Sequence, residues 1–377
     1  MKTALWLYLF LFIAFFDLHA QYPILTPFAI SLGAAPTFIG WMMGIYSLTH
    51  LPGNLLAGPG VDRHGSRRYI MFSLTAAGFI LVLQAFINSP WELLVLRACS
   101  GFVLAFLSPA CMTLLARLSD DPVTQGKYMS GHGVIHTLAS VISPAAGAFI
   151  VASLGFQSTF SSLGIILILT GIMAYFTLPK SSQVHTTLAQ EKDTDTPLPN
   201  WRYFLLPLVI ACAQGILFYE LPLRNAGTES ILSTGLLFSV ISLGGLVTLS
   251  MLFLNNYSPL LRLVSGMLLM ALCFFYMAAF PDSSLVPVLF VLGTAKGIIF
   301  PAMAALFIRL GGNRLGRIFA LHSIVVSVGS FIGPVVAGQL RDQHSPFFLA
   351  FLIMTCGLLF LPLRRPTPVP PLSTNGS

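Results

Sequence analysis

Long apolar stretches separated by short polar breaks run almost the whole length of the chain. They cover residues 4–31, 37–58, 69–88, 91–116, 126–153 and 158–178. Six more follow at 203–225, 230–254, 259–280, 284–310, 316–340 and 346–363. A helix of roughly 20 apolar residues crosses the ~30 Å hydrocarbon layer of a bilayer. Every stretch is close to that length or longer, and none shows the ten-residue apolar–polar alternation of a membrane β-strand. The pattern predicts an all-α membrane protein with twelve transmembrane helices. Two regions depart from it. Residues 179–202 are polar, and the tail 364–377 (RRPTPVPPLSTNGS) is Pro-rich and expected to be disordered.

Composition narrows the class. Of 377 residues, 56% are hydrophobic and 8% are charged. Soluble domains carry about a quarter charged residues, which excludes a water-soluble fold. Disorder needs low hydrophobicity and high charge, so it is excluded for the bulk of the chain as well. Cys99, Cys111, Cys212, Cys273 and Cys356 all fall within apolar runs and form no C-x-x-C pair. They read as packing residues, with no disulfide frame and no metal or cofactor site. The first 20 residues have a signal-peptide shape. However, Asp17 and His19 occupy the cleavage region, and apolar character resumes at Tyr22. The expectation is one long first helix, bent near Pro23 and Pro27.

The net charge of +7 has a topological cause. With the N-terminus in the cytoplasm, 15 of the 19 Lys and Arg residues fall in inside-facing segments. Only Arg224 and Arg341 lie outside, and Arg97 and Lys296 lie within spans. This Lys/Arg asymmetry places both termini in the cytoplasm and requires no nucleic acid partner. The two halves also repeat. SPA at Ser108, GKYMSGH at Gly126 and SPAAG at Ser143 return as FPA at Phe300, GRIFALH at Gly316 and GPVVAG at Gly333, at offsets of 192, 190 and 190. Parallel six-helix repeats are a transporter architecture. The expected organisation is a bundle at 1–178, a cytoplasmic linker at 179–202, a second bundle at 203–363 and the tail.

The loop AGPGVDRHGSRR (Ala57–Arg68) is the most specific local signal. With Gly58, Asp62, Arg63 and Gly65 in place, it resembles the second-to-third loop of the major facilitator superfamily. Ser66 stands where that family usually has arginine, and Arg67 and Arg68 follow. The second-half counterpart, LNNYSPLLRL, lacks the pattern. The resemblance implies that Asp62, Arg63 and Arg67 gate the cytoplasmic side against the eleventh helix. Plain topological anchoring by Arg63, Arg67 and Arg68 is the alternative.

Asp17, Arg97, Glu220 and Lys296 are ionisable residues inside predicted spans. A mid-membrane charge costs at least ~2.5 kcal/mol, so each needs a partner, water or neutralisation. The first helix of each half carries an acid and the fourth a base. The family resemblance implies that helices one, four, seven and ten line a central cavity, where these four would meet. Arg97 lies in VLRACSGFVLA, which is similar to the family's fourth-helix R-x-x-x-G pattern and implies a role in proton coupling. The expectation is that deprotonated Asp17 pairs with Arg97 and that protonation breaks the pair. A static ion pair that fixes helix register is the alternative. His19, Gln21, Gln214, Glu220 and Lys296 are the candidate substrate-cavity residues. His132 and His136 are one turn apart, and His322 repeats His132. They have no third ligand for a metal, so proton relay and helix packing both stay open.

Ser143, Pro144 and Gly147 in helix five, with Gly333 and Pro334 in helix eleven, form expected packing hinges. The family's helix-five motif implies antiport, although Ala139 and Ser143 replace two of its glycines. No phosphate-binding loop is present. The reading is a secondary transporter, not an enzyme. It is expected to be a monomer in the plasma (inner) membrane, coupling protons to efflux of a small amphipathic or drug-like molecule. A proton-coupled importer of a small organic anion is the first alternative. A polytopic membrane enzyme or receptor is the second.

Overall fold

The computed structural model describes residues 2–119, 121–179, 200–224, 228–311 and 315–360. The expected tail lies outside the described residues, as does the linker from 180 to 199. So does the side chain of Asp62. The helices are α1 (Lys2–Ala20), α2 (Tyr22–Ser31), α3 (Pro36–His64), α4 (Ser66–Gln84), α5 (Pro90–Leu104), α6 (Leu107–Ala116) and α7 (Pro122–Thr177). After the linker come α8 (Arg202–Arg224), α9 (Thr228–Ser250), α10 (Pro259–Ala279), α11 (Leu285–Gly311), α12 (Leu315–Leu340) and α13 (Pro346–Leu359). No strand occurs among the described residues.

Nine described helical segments are long and apolar enough to cross a membrane. The longest, within α7, is two spans, because Gly155 takes φ +77° and interrupts the helix. That backbone conformation is open to glycine and closed to residues with a β-carbon. Adding α3, and the shorter α13, gives twelve spans in the expected order. The protein is an all-α membrane protein.

Local chemistry explains the boundaries. Pro36, Pro90, Pro122, Pro259 and Pro346 all open helices, where a missing N–H costs nothing. At α5 the Ser89 hydroxyl accepts from the Trp91 backbone, and Glu92 reaches back to the Ser89 backbone N–H. In spans one and four the helical hydrogen-bond ladder breaks once in the middle, while Gln21, Ala105 and Phe106 keep helical φ/ψ. Pro23 follows the break at Gln21, and Pro109 follows the break between α5 and α6. A proline removes one helical hydrogen bond and crowds the carbonyl four residues earlier. Those carbonyls belong to His19 and Ala105, at the two breaks. The first helix is therefore one helix with an irregularity near Pro23, as expected. Gln21, one turn past Asp17, keeps helical φ/ψ; its backbone N–H donates to the Asp17 carbonyl, and its own carbonyl accepts from the Leu25 N–H.

The two halves use the same packing pairs. In the first, α1 packs on the first part of α7, α3 on α5, and α4 on the second part of α7. In the second, α8 packs on α12, α11 on α9, and α10 on α13. These are spans 1–5, 2–4 and 3–6 against spans 7–11, 8–10 and 9–12, so the sequence repeat is a structural repeat. The halves meet through α3 against α12 and α7 against α9. Phe10, Phe160, Phe274 and Phe307 fill the interior. Leu5, Phe79, Phe86 and Phe176 point outward, as a lipid-facing surface requires.

Candidate functional site

Both seams between the halves close at one end of the molecule. At the first, Gly40 of α3 lies against the backbone of Pro334 in α12, and Gly338 lies against Pro36 and Thr37. At the second, Gly235 of α9 lies against the carbonyl of Pro144 and the methyl of Ala148 in α7. Neither Gly40 nor Gly235 has room for a β-carbon. Pro144 and Pro334 are repeat-related, so the two seams are equivalent. Tyr219 adds a link across the halves by donating to the Pro36 carbonyl at 3.1 Å. At the other end of α3, Leu55 and Leu56 are exposed and Gly58 faces open space. That end carries Arg63 and Arg68.

Between the seams and the basic end lies a cavity of about 440 Å³. Its walls are His19 and Tyr22 from span one, His132 to Pro144 from α7, Gln214 and Phe218 from α8, Phe238 to Leu249 from α9, and Lys296 to Phe300 from α11. Tyr22 stacks on Phe218 at 4.6 Å between centroids, with 16° between the planes. Phe238 closes the group at 5.9 Å from Tyr22 and 5.6 Å from Phe218. This trio joins the two halves at the sealed end of the cavity. The sequence reading missed it, because no local pattern distinguishes three rings among 31 phenylalanines and 10 tyrosines.

The four intramembrane charges do not meet in the cavity, contrary to expectation. Only Lys296 lines it. Span four contributes no lining residue, and α7 and α9 take its place. The expected direct pair of Asp17 with Arg97 is also corrected. Gln21 stands between them. Its Nε2 donates to both Asp17 oxygens at 2.9 and 3.0 Å, and Arg97 Nη1 donates to its Oε1 at 2.9 Å. The opposite amide orientation would face two donors at one end and two acceptors at the other, so the chemistry fixes it. Asp17 is 2% exposed and Arg97 5%. The Arg97 guanidinium also lies over the Tyr46 ring at 4.6 Å. Gln21 is thus part of this buried chain and does not line the cavity.

Glu220 is likewise not a cavity residue. It accepts from Arg341 Nε at 3.0 Å and Nη2 at 3.4 Å, which satisfies it at the sealed end. Arg341 lies just past α12. Burial disfavours its charge, but the Glu220 hydrogen bond and charge outweigh that and hold its pKa above the ordinary value. His19, Gln214 and Lys296 do line the cavity. So do His132 and His136, which the sequence left between relay and packing. The His136 ring lies 5.1 Å from His19 and 4.7 Å from Phe15. His322 stands apart, in a smaller pocket of the second half. No cluster of three or more metal-ligating side chains occurs among the described residues.

In the loop between α3 and α4, Gly65 takes φ +86° and makes the turn. Arg67 donates to the Tyr175 carbonyl and lies 4.5 Å over the Tyr175 ring. Its partner is thus within its own half. Gly58 has no neighbour that demands a small residue in this conformation. The expected hinge residues sit at close contacts: Gly147 on Ala20, Gly333 on Cys212, and Pro144 and Pro334 at the seams. The Ser143 hydroxyl is buried and donates to the Ala139 carbonyl.

The family model described as Major Facilitator Superfamily matches residues 7–334 and 263–376. The chain belongs to the Major Facilitator Superfamily. It is a membrane transporter and not an enzyme. The quinolone resistance protein NorA of Staphylococcus aureus (strain MSSA476) is 21% identical over 373 residues, 95% of each chain. The multidrug resistance protein MdtG of Escherichia coli (strain 55989 / EAEC) is 23% identical over 85% of this chain and 82% of its own. Among solved structures, an inward-facing, unoccupied bacterial homolog of the human lysosomal transporter Spinster superposes with TM-score 0.75 at 13% identity. That match covers 95% of this chain and 94% of the other. The human organic anion transporter MFSD10 gives TM-score 0.66 at 14% identity, covering 95% and 98%. These two likenesses show the fold.

Proposed function

We propose that the transporter exports a small amphipathic or drug-like molecule in exchange for protons, as a monomer in the plasma (inner) membrane with both termini cytoplasmic. The bundles 1–178 and 203–363 rock against each other around the central cavity, as the family's repeats permit. With the basic end in the cytoplasm, the present conformation is inward-open, which suits loading from the cell interior. The names of the two relatives, quinolone resistance and multidrug resistance, support a drug-like cargo.

The observation that carries the coupling is the buried Asp17–Gln21–Arg97 chain. Its acid lies half a turn from His19 in the cavity wall, and its amide adjoins Tyr22, which holds the inter-bundle stack. Adding a proton to Asp17 removes one acceptor from Gln21 and weakens its hold on the span-one break. That gives protonation a mechanical route to the contact between the halves. One proton moving through 100 mV supplies about 2.3 kcal/mol, sufficient for roughly fifty-fold accumulation.

Everted vesicles test the reading. A panel of quinolones and other amphipaths is added under an imposed pH gradient, and both cargo and proton fluxes are followed. Opposed fluxes that Asp17→Asn abolishes, with binding retained, are expected. Undiminished coupled flux in that variant rejects the coupling role. A second reading, proton-coupled import of a small organic anion, is favoured by Lys296 in the cavity wall. Fluxes in the same direction identify it.

A further inference from the structure

The charge and shape of the cavity narrow the cargo further than its family does. Among the described residues that line it, Lys296 is the one Lys, Arg, Asp or Glu side chain. The acids that might have neutralised it are engaged elsewhere, Glu220 with Arg341 and Asp17 with Gln21. Lys296 Nζ has instead the faces of Phe218 and Phe300, at 5.6 and 5.8 Å from their centroids. Ring faces compensate an ammonium only in part, and a half-buried ammonium in a largely apolar wall favours an anion beside it. His19 and His136 are its electrostatic neighbours across the cavity, and they add no negative charge.

A second space adjoins the first. It holds about 220 Å³ inside the second half, lined by Met303, Phe307, Phe319 and Val326 among others, with His322 and Ser330 as polar members. Gln214 and Phe300 belong to both linings. Phe300 is one helical turn beyond Lys296, so the ammonium and the shared wall lie on one face of α11. Gln214 makes no side-chain hydrogen bond to another described residue, which leaves its amide free for a ligand.

We propose that the cavity takes a small organic monoanion with an apolar tail, its acid group at Lys296 and its tail passing between Gln214 and Phe300 into the pocket of the second half. The proposal rests on the reading of the protein as a transporter of amphipaths, and it adds charge sign and orientation. It is independent of the direction of transport and of proton coupling.

Binding in nanodiscs of zwitterionic lipid tests it, with empty nanodiscs subtracted. The probes are para-hexylbenzoate, its uncharged amide, benzoate and tetraphenylphosphonium. Para-hexylbenzoate is expected to bind about tenfold or more tightly than the amide, as a charge-assisted contact provides. Lys296→Gln should erase that ratio and Lys296→Arg should keep it. Met303→Trp, or Val326→Phe if the first does not fold, should weaken para-hexylbenzoate and leave benzoate unchanged. Equal binding of acid and amide overturns the proposal. So does a ratio that survives Lys296→Gln, tighter binding of the cation, or pocket filling that weakens both acids alike. The binding ratio can fail while opposed proton and cargo fluxes persist, and the fluxes can fail while the ratio stands, so the two readings separate.

Discussion

The side-chain amide of Gln21 donates to both carboxylate oxygens of Asp17, at 2.9 and 3.0 Å. Arg97 reaches the acid only through the other end of that amide. An intervening amide makes the buried acid and base partners in one chain without making them an ion pair. The acid can then change protonation state while Arg97 keeps its Gln21 contact.

Gln21→Leu removes the bridge. It leaves Asp17 and Arg97 each short of a hydrogen-bonding partner at a buried site, which should cost about 1–3 kcal/mol per orphaned group. Thermal unfolding in detergent reads the loss. Gln21→Glu should restore part of the stability, since the new carboxylate accepts from Arg97. It should also shift the pH profile of transport, because it sets a second acid beside Asp17. A profile identical to the native one would remove Gln21 from the coupling mechanism.

Cysteines at Thr37 and Gly338 should cross-link in this conformation. A β-carbon at Gly338 would sit 3.3 Å from the Thr37 Cα, which brings the pair within disulfide reach. The cross-link should stop transport by pinning the α3–α12 seam, and reduction should restore it. Transport that continues through the oxidised protein would show that this seam does not open.

Glu220→Gln should destabilise the sealed end by about 1.5–3 kcal/mol, the range for hydrogen bonds to charged groups, because Arg341 loses its paired carboxylate. Proton coupling should survive. Loss of coupling with stability intact would return Glu220 to the list of working acids.

Gly155→Ala should cost about 1–3 kcal/mol, since φ +77° suits glycine alone. Open space around this residue means that the cost is conformational and not steric. An unchanged melting temperature would show that the turn tolerates another backbone path.

The sequence alone determined the number of spans, their all-helical character and the internal repeat. Those properties are one-dimensional. Bilayer thickness sets run length, and a duplicated fold keeps its small residues and prolines in register, as Pro144 and Pro334 do. It also singled out Lys296, because an ammonium in an apolar run is conspicuous wherever it points. Only the tertiary structure decided that Gln21 separates Asp17 from Arg97, that Glu220 belongs to Arg341, and that Tyr22 stacks on Phe218. Each of these depends on the rotation of one helix against another. Tight contacts between residues far apart in the chain fix that angle, and an apolar run carries almost no record of it.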